Sequence, residues 1–106
     1  MIMNATDWNT ALYEKMSDEQ DKFRDWLKSQ PPEEILHHTY EYTVREDIVM
    51  AMEQLELTDA QAQALLDSSS PLADVYRYFE KLETGYMDVI RDSIENRADD
   101  VCRAKE

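Results

Sequence analysis

Apolar residues recur along the chain at the three- and four-residue spacing of a helix face, in four stretches. Trp8, Leu12, Met16, Phe23, Trp26 and Leu27 form the first stripe. It predicts a helix from about Asp7 to Lys28, with Thr6 as N-cap and Asp7 at the positive helix end. Pro31 and Pro32 stop that helix. Pro32 then starts a second helix, because proline fits a first turn, and Glu33 and Glu34 suit its dipole. Its stripe of Leu36, Tyr40, Val44, Ile48, Ala51, Met52 and Leu55 runs to about Leu55. Thr43 and Glu46 have capping-box spacing, so a break near Thr43 is the alternative to one continuous helix.

A short third helix spans about Asp59 to Asp67. Thr58 and Gln61 have capping-box spacing, and Leu57 with Ala62 has that of a hydrophobic staple. Ser68, Ser69 and Ser70 make a linker. The fourth helix begins at Pro71, capped by Ser70, and runs to about Arg103. Its stripe is Leu72, Val75, Tyr76, Phe79, Leu82, Tyr86, Ile90, Ile94 and Val101. A helix of that length reaches about 50 Å. The two shorter helices cannot cover all of its apolar face, so its C-terminal half either extends outward or packs on a second copy. Gly85 sits inside it, costs up to about 1 kcal/mol relative to Ala, and marks a bend or a close contact.

One Gly and three Pro are too few turn residues for a β-rich fold. The expectation is an all-α, compact bundle of about four helices with a long C-terminal helix. It forms one domain over residues 1–106, with a flexible start at 1–6 and a frayed end at 104–106. The first two helices pair antiparallel across Ser29–Pro32.

Charge narrows the partners. The chain holds 24 acidic and 11 basic residues, a formal net charge of −13. Its two halves share this evenly, so no acidic tail hangs from a neutral domain. Such a chain is repelled by nucleic acid and by anionic membranes, and it has no basic patch with which to bind them. A lone cysteine, Cys102, fits a reducing cytoplasm; no segment approaches a membrane span, and the start is unlike a signal peptide.

The acids also have a pattern. Glu14, Asp18, Asp21 and Asp25 follow a 4-3-4 spacing, and Asp88, Asp92, Glu95 and Asp99 repeat it. On a helix each set falls within an arc of about 60°. Successive acids are about 4.5–6 Å apart along the axis, comparable to phosphates along one DNA strand. Such a row can imitate a nucleic-acid backbone and occupy the Arg/Lys channel of a nuclease or other nucleic-acid-binding protein. The plainer reading is a solvated helix back.

Other chemistry is sparse. Glu34 and His37 form one Glu-x-x-His unit of the kind used in di-iron bundles, which need two such units and two further carboxylates. A homodimer could supply the second unit. His38 points about 100° away and cannot readily share that metal. Cys102 lies beside Asp99 and Asp100, which disfavour its thiolate. No catalytic constellation or cofactor motif is present, so no enzyme activity, cofactor or metal is expected. Most aromatics lie on the stripes. Tyr13, Tyr42 and Tyr78 fall at or beyond their edges, and Tyr42 and Tyr78 would anchor a protein partner if exposed.

LYEKM (Leu12–Met16), PPEEIL (Pro31–Leu36), YEYTVREDIVMAME (Tyr40–Glu53), ALL (Ala64–Leu66), SPLADVY (Ser70–Tyr76) and YMDVIRDSIENRA (Tyr86–Ala98) carry a resemblance across most of the chain. The chain resembles a family of small uncharacterised bacterial proteins, a domain of unknown function associated with conjugative and other mobile elements. That resemblance implies mobile-element cargo and transfers no catalytic residue. Small acidic proteins of mobile elements often act against host nucleic-acid enzymes, as anti-restriction and anti-CRISPR proteins do. The leading expectation is therefore a non-catalytic acidic inhibitor that engages a basic protein through the eight acids of the two rows. The rival is a homodimerising scaffold that uses the apolar face of the last helix, with acidity serving solubility. A di-metal bundle enzyme is the third.

Overall fold

The structure, a computed structural model, describes residues 7–82 and 85–105. Five helices and no strand make up these residues: α1 (Trp8–Lys28), α2 (Pro32–Met52), α3 (Asp59–Leu66), α4 (Pro71–Leu82) and α5 (Tyr86–Ala104). The fold is an all-α bundle, as the stripes predict.

The first helix starts on Asp7, whose carboxylate accepts the Thr10 N–H at 3.1 Å and the Thr10 hydroxyl at 2.6 Å. Asp7 is thus the N-cap; the cap expected at Thr6 lies outside the described residues. At the other end the N–H groups of Ser29 and Gln30 close onto Trp26 and Leu27 carbonyls before the proline pair. The second helix follows at once and is continuous, so the break at Thr43 does not occur. It ends at Met52, three residues before the expected Leu55, and Leu55 is left exposed.

The helix α3 starts as expected. Thr58 Oγ1 accepts the Gln61 N–H at 3.1 Å, and Gln61 Oε1 accepts the Thr58 N–H at 3.0 Å. Both staple residues are used: Ala62 is buried in the core and Leu57 packs against it.

The core is a cluster of Leu12, Met16, Met52, Ala62 and Leu72, contributed by four helices. The central element is α1, which packs on α2, α3 and α4, while α4 also packs on α2. Gln20 meets Glu46, Arg24 meets Tyr42 and Trp26 meets His38, so α1 and α2 run antiparallel, as the short connection predicts. Full burial of Leu12 or Leu72 contributes about 1.5–3 kcal/mol each.

The expected single helix from Pro71 to Arg103 is instead two. Gly85 adopts φ −103° and ψ 2°, outside the helix basin, and becomes the N-cap of α5. A Cβ there would meet nothing within 4 Å, so space does not demand glycine. The physical reason for the division is that no tertiary contact offsets the low helix propensity of an exposed glycine. Beyond it, α5 buries no residue and packs on no other helix to the extent that α1–α4 do. The molecule measures 71 × 35 × 22 Å, with a radius of gyration of 19.3 Å. A compact domain of 100 residues has about 13 Å. A compact four-helix body therefore carries α5 as a projection. Among the described residues no helix is long and apolar enough to cross a membrane.

Candidate protein-binding surface

Two kinds of surface compete for the role of contact site: the acidic rows and the uncovered apolar face of α5.

Every acid of both rows is exposed: Glu14, Asp18, Asp21 and Asp25 on α1, and Asp88, Asp92, Glu95 and Asp99 on α5. The α1 row lies roughly 160° round the helix from the buried face of Leu12, Met16, Gln20 and Leu27. The α5 row lies roughly 150° from the stripe of Tyr86, Met87, Ile90, Ile94 and Val101. Each row is the back of an amphipathic helix. The structure does not pack α1 on α5 to the extent that it packs α1 on α2, α3 and α4, so no such helix packing joins the rows. Asp21 is paired with Arg24 and Asp88 with Arg91, each at 2.9 Å. Such exposed pairs contribute little to stability.

The apolar face of α5 stays uncovered. Tyr86, Met87 and Ile94 are each more than half exposed. A ring contact ties this face to the body: the Tyr86 and Tyr40 rings lie 5.9 Å apart. Tyr40 and Leu36, expected in the core from the α2 stripe, are exposed instead. The reason is that α1 packs on another side of the N-terminal half of α2, where Phe23 and Trp26 meet His38, and leaves Leu36 and Tyr40 largely open to water. The uncovered apolar surface thus runs from α2 onto α5.

The body behind that surface is held by a polar network that the stripes do not reveal. Glu19 crosses from α1 to the start of α4 and accepts the N–H groups of Leu72 and Ala73, each at 2.9 Å. This carboxylate, rather than a Ser70 side chain, takes the free N–H groups there; Ser70 offers its backbone carbonyl to Asp74. Arg45, buried on α2, pairs with Glu41 at 2.8 Å, lies 3.9 Å from Glu19, and covers the Phe23 ring at 4.3 Å. Gln20, also buried, donates to Glu46 at 2.9 Å. Arg24 donates to the Tyr42 hydroxyl at 3.0 Å, and that bond, with Asp21 beside it, raises the guanidinium pKa above its ordinary value. Tyr42 is therefore half-buried and engaged, while Tyr78 is exposed. Within the linker, Ser68 donates to Asp74, which holds that carboxyl below its ordinary pKa.

The remaining candidates stay apart. Glu34 and His37 lie 3.7 Å apart on the exposed start of α2. Among the described residues no group of three His, Cys, Asp or Glu side chains could hold a metal. The second Glu-x-x-His unit would have to come from another chain. Cys102 is exposed on α5. An open apolar cleft of about 300 Å³ lies between the end of α1 and the start of α2, lined by Leu27, Ile35, Thr39 and Tyr42 with Arg24 and Lys28. No acid of either row lines it.

These features define a small acidic all-α protein with a projecting amphipathic helix. More narrowly, the chain belongs to the family of proteins of unknown function DUF3848, whose model matches residues 8–102. A comparison with curated proteins finds no match, and one with solved structures finds none.

Proposed function

We propose that this protein is a non-catalytic binding module whose contact element is α5. The observation that carries this is a helix of 19 residues that keeps an apolar stripe and buries none of it. An exposed stripe of this kind is retained against its solubility cost where a partner covers it. Polar backs on both acid-row helices keep the free chain soluble. On the single cysteine we place it in the cytoplasm.

The exposure of all eight row acids favours a second reading: an acidic mimic that inhibits a basic nucleic-acid-binding protein, of the anti-restriction or anti-CRISPR type. This reading goes with cargo of a mobile element, which the resemblance implies.

A capture experiment separates the two. The full chain, immobilised, is offered to host extract beside two variants. Ile90→Asp with Ile94→Asp breaks the stripe; Asp88, Asp92, Glu95 and Asp99→Lys reverses the row. Loss of the captured protein with the first variant and its retention with the second supports α5 as an apolar contact. The opposite pattern, with capture that fades as salt rises, supports mimicry and overturns the leading reading.

A further inference from the structure

We propose that the partner of α5 is α5 of a second copy, packed in parallel as a short coiled coil. This rests on the reading of α5 as the contact element and names what covers it.

The first support is the period. Met87, Ile90, Ile94, Arg97, Val101 and Ala104 follow one another by steps of 3, 4, 3, 4 and 3. That is the alternation of the first and fourth positions of a heptad, and only Arg97 breaks its apolar character. A general amphipathic helix facing a globular core carries a broader stripe. Ile94 and Val101 place β-branched side chains at the first heptad position, and the fourth positions are Ile90, Arg97 and Ala104.

The second support is where the charges fall. Asp88, Asp92, Glu95 and Asp99 occupy the second and sixth heptad positions, which point away from a partner helix. Two copies can therefore meet without bringing the acid rows together. The seam side has a different balance. Arg91 and Lys105 lie on one flank and Asp100 on the other, with Arg97 in the seam itself. A groove with a basic rim would meet these cations. A parallel second copy sets Asp100 against Lys105 of the other chain, twice, and Tyr86 against its Arg91. An antiparallel copy would set Arg91 against Lys105 of the other chain. Arg97 has a long enough stem to carry its guanidinium out of the seam.

The third support is accessibility. Met87, Ile94 and Val101 of the seam are exposed and Ile90 is half-buried, and Tyr86 at the base continues onto the exposed Tyr40 and Leu36 of α2. The helix is about 28 Å long, so the buried area falls below that of standard stable interfaces, and the dimer is a weak one. Because both acidic bodies lie at the same end, salt strengthens the association by screening them. That is the reverse of what a basic partner would show.

The test is sedimentation equilibrium of the full chain across micromolar to near-millimolar concentration, at low and high salt. The expected result is a monomer–dimer equilibrium that tightens with salt. Ile94→Asp should weaken it by about tenfold or more, since it buries a charge in the seam. Asp92→Lys, on the back of the helix, should leave it in place. Circular dichroism should show that both variants keep the fold, because α5 buries no residue. In a Cys102→Ser background, Val101→Cys should give a disulfide-linked dimer, since equivalent first positions face each other only in the parallel arrangement. A monomer at every concentration overturns the proposal, as does a dimer indifferent to Ile94→Asp. A dimer without the Val101→Cys disulfide overturns the parallel arrangement. A monomer that loses a captured host protein on Ile94→Asp overturns the second copy while leaving α5 as the contact element.

Discussion

Glu19 illustrates how much one side chain decides in a domain of this size. Its carboxylate satisfies two backbone N–H groups at the start of α4 and lies beside the buried Arg45. Glu19→Ala leaves both donors without their acceptor and removes part of the charge that balances Arg45. The expected loss is about 3 kcal/mol, read by urea unfolding. Two other carboxylates add to the acid sensitivity. Asp7 is held below its ordinary value of 3.8 first by the Thr10 hydroxyl, and Asp74 first by the Ser68 hydroxyl. A depressed folded pKa means stability present above the unfolded value and lost as pH falls through the folded one. Urea midpoints should therefore drop as pH falls below about 4. Asp7→Asn with Asp74→Asn should make that drop shallower, since Asn still caps a helix but does not titrate in this range.

At the level of the element, α1 and α5 show two fates of the same pattern. Both are amphipathic, and both carry a four-acid row opposite the stripe. The stripe of α1 is sunk among three helices; that of α5 is not. Their mutations should differ accordingly. Leu12→Ala, at a fully buried site, should cost about 2–5 kcal/mol, whereas Ile94→Ala should stay within about 0.5 kcal/mol. Thermal and urea unfolding of the two variants at low protein concentration checks this. Hydrogen exchange should show the same contrast, with α5 amides poorly protected beside those of α1. Equal protection would mean that α5 is covered by the body of its own chain.

Taken whole, the molecule carries thirteen net negative charges on an elongated frame. Self-repulsion among exposed carboxylates destabilises the folded state, and salt screens it. The melting temperature should therefore rise from low to moderate ionic strength, followed by circular dichroism. Glu14, Asp18, Asp21 and Asp25 replaced by Gln should raise it at low salt and flatten that dependence. A melting temperature that falls with added salt would show that ion pairs such as Arg45 with Glu41 outweigh the net repulsion.

Helix type, the α1–α2 turn and the capping box at Thr58 were all legible in the residue order, because they depend on neighbours three or four positions apart. The same holds for the exposure of the acid rows, since acids opposite a stripe face water wherever the stripe is buried. The stripe alone did not say whether something buries it. Tyr40 and Leu36 match the pattern of core residues and are exposed, because burial needs a second element at the right place. Gly85 was visible as a weak point, but whether it ends a helix depends on what packs around it. Glu19 and Gln20 gave no local signal, and Arg45 gave one only towards Glu41, four positions before it. The partners on other helices lie 22 to 54 positions away, and only the docking of α1, α2 and α4 brings the carboxylate, amide and guanidinium groups within reach. Local order decided which helices form; packing of helix on helix decided that four of them make a body and the fifth is left bare.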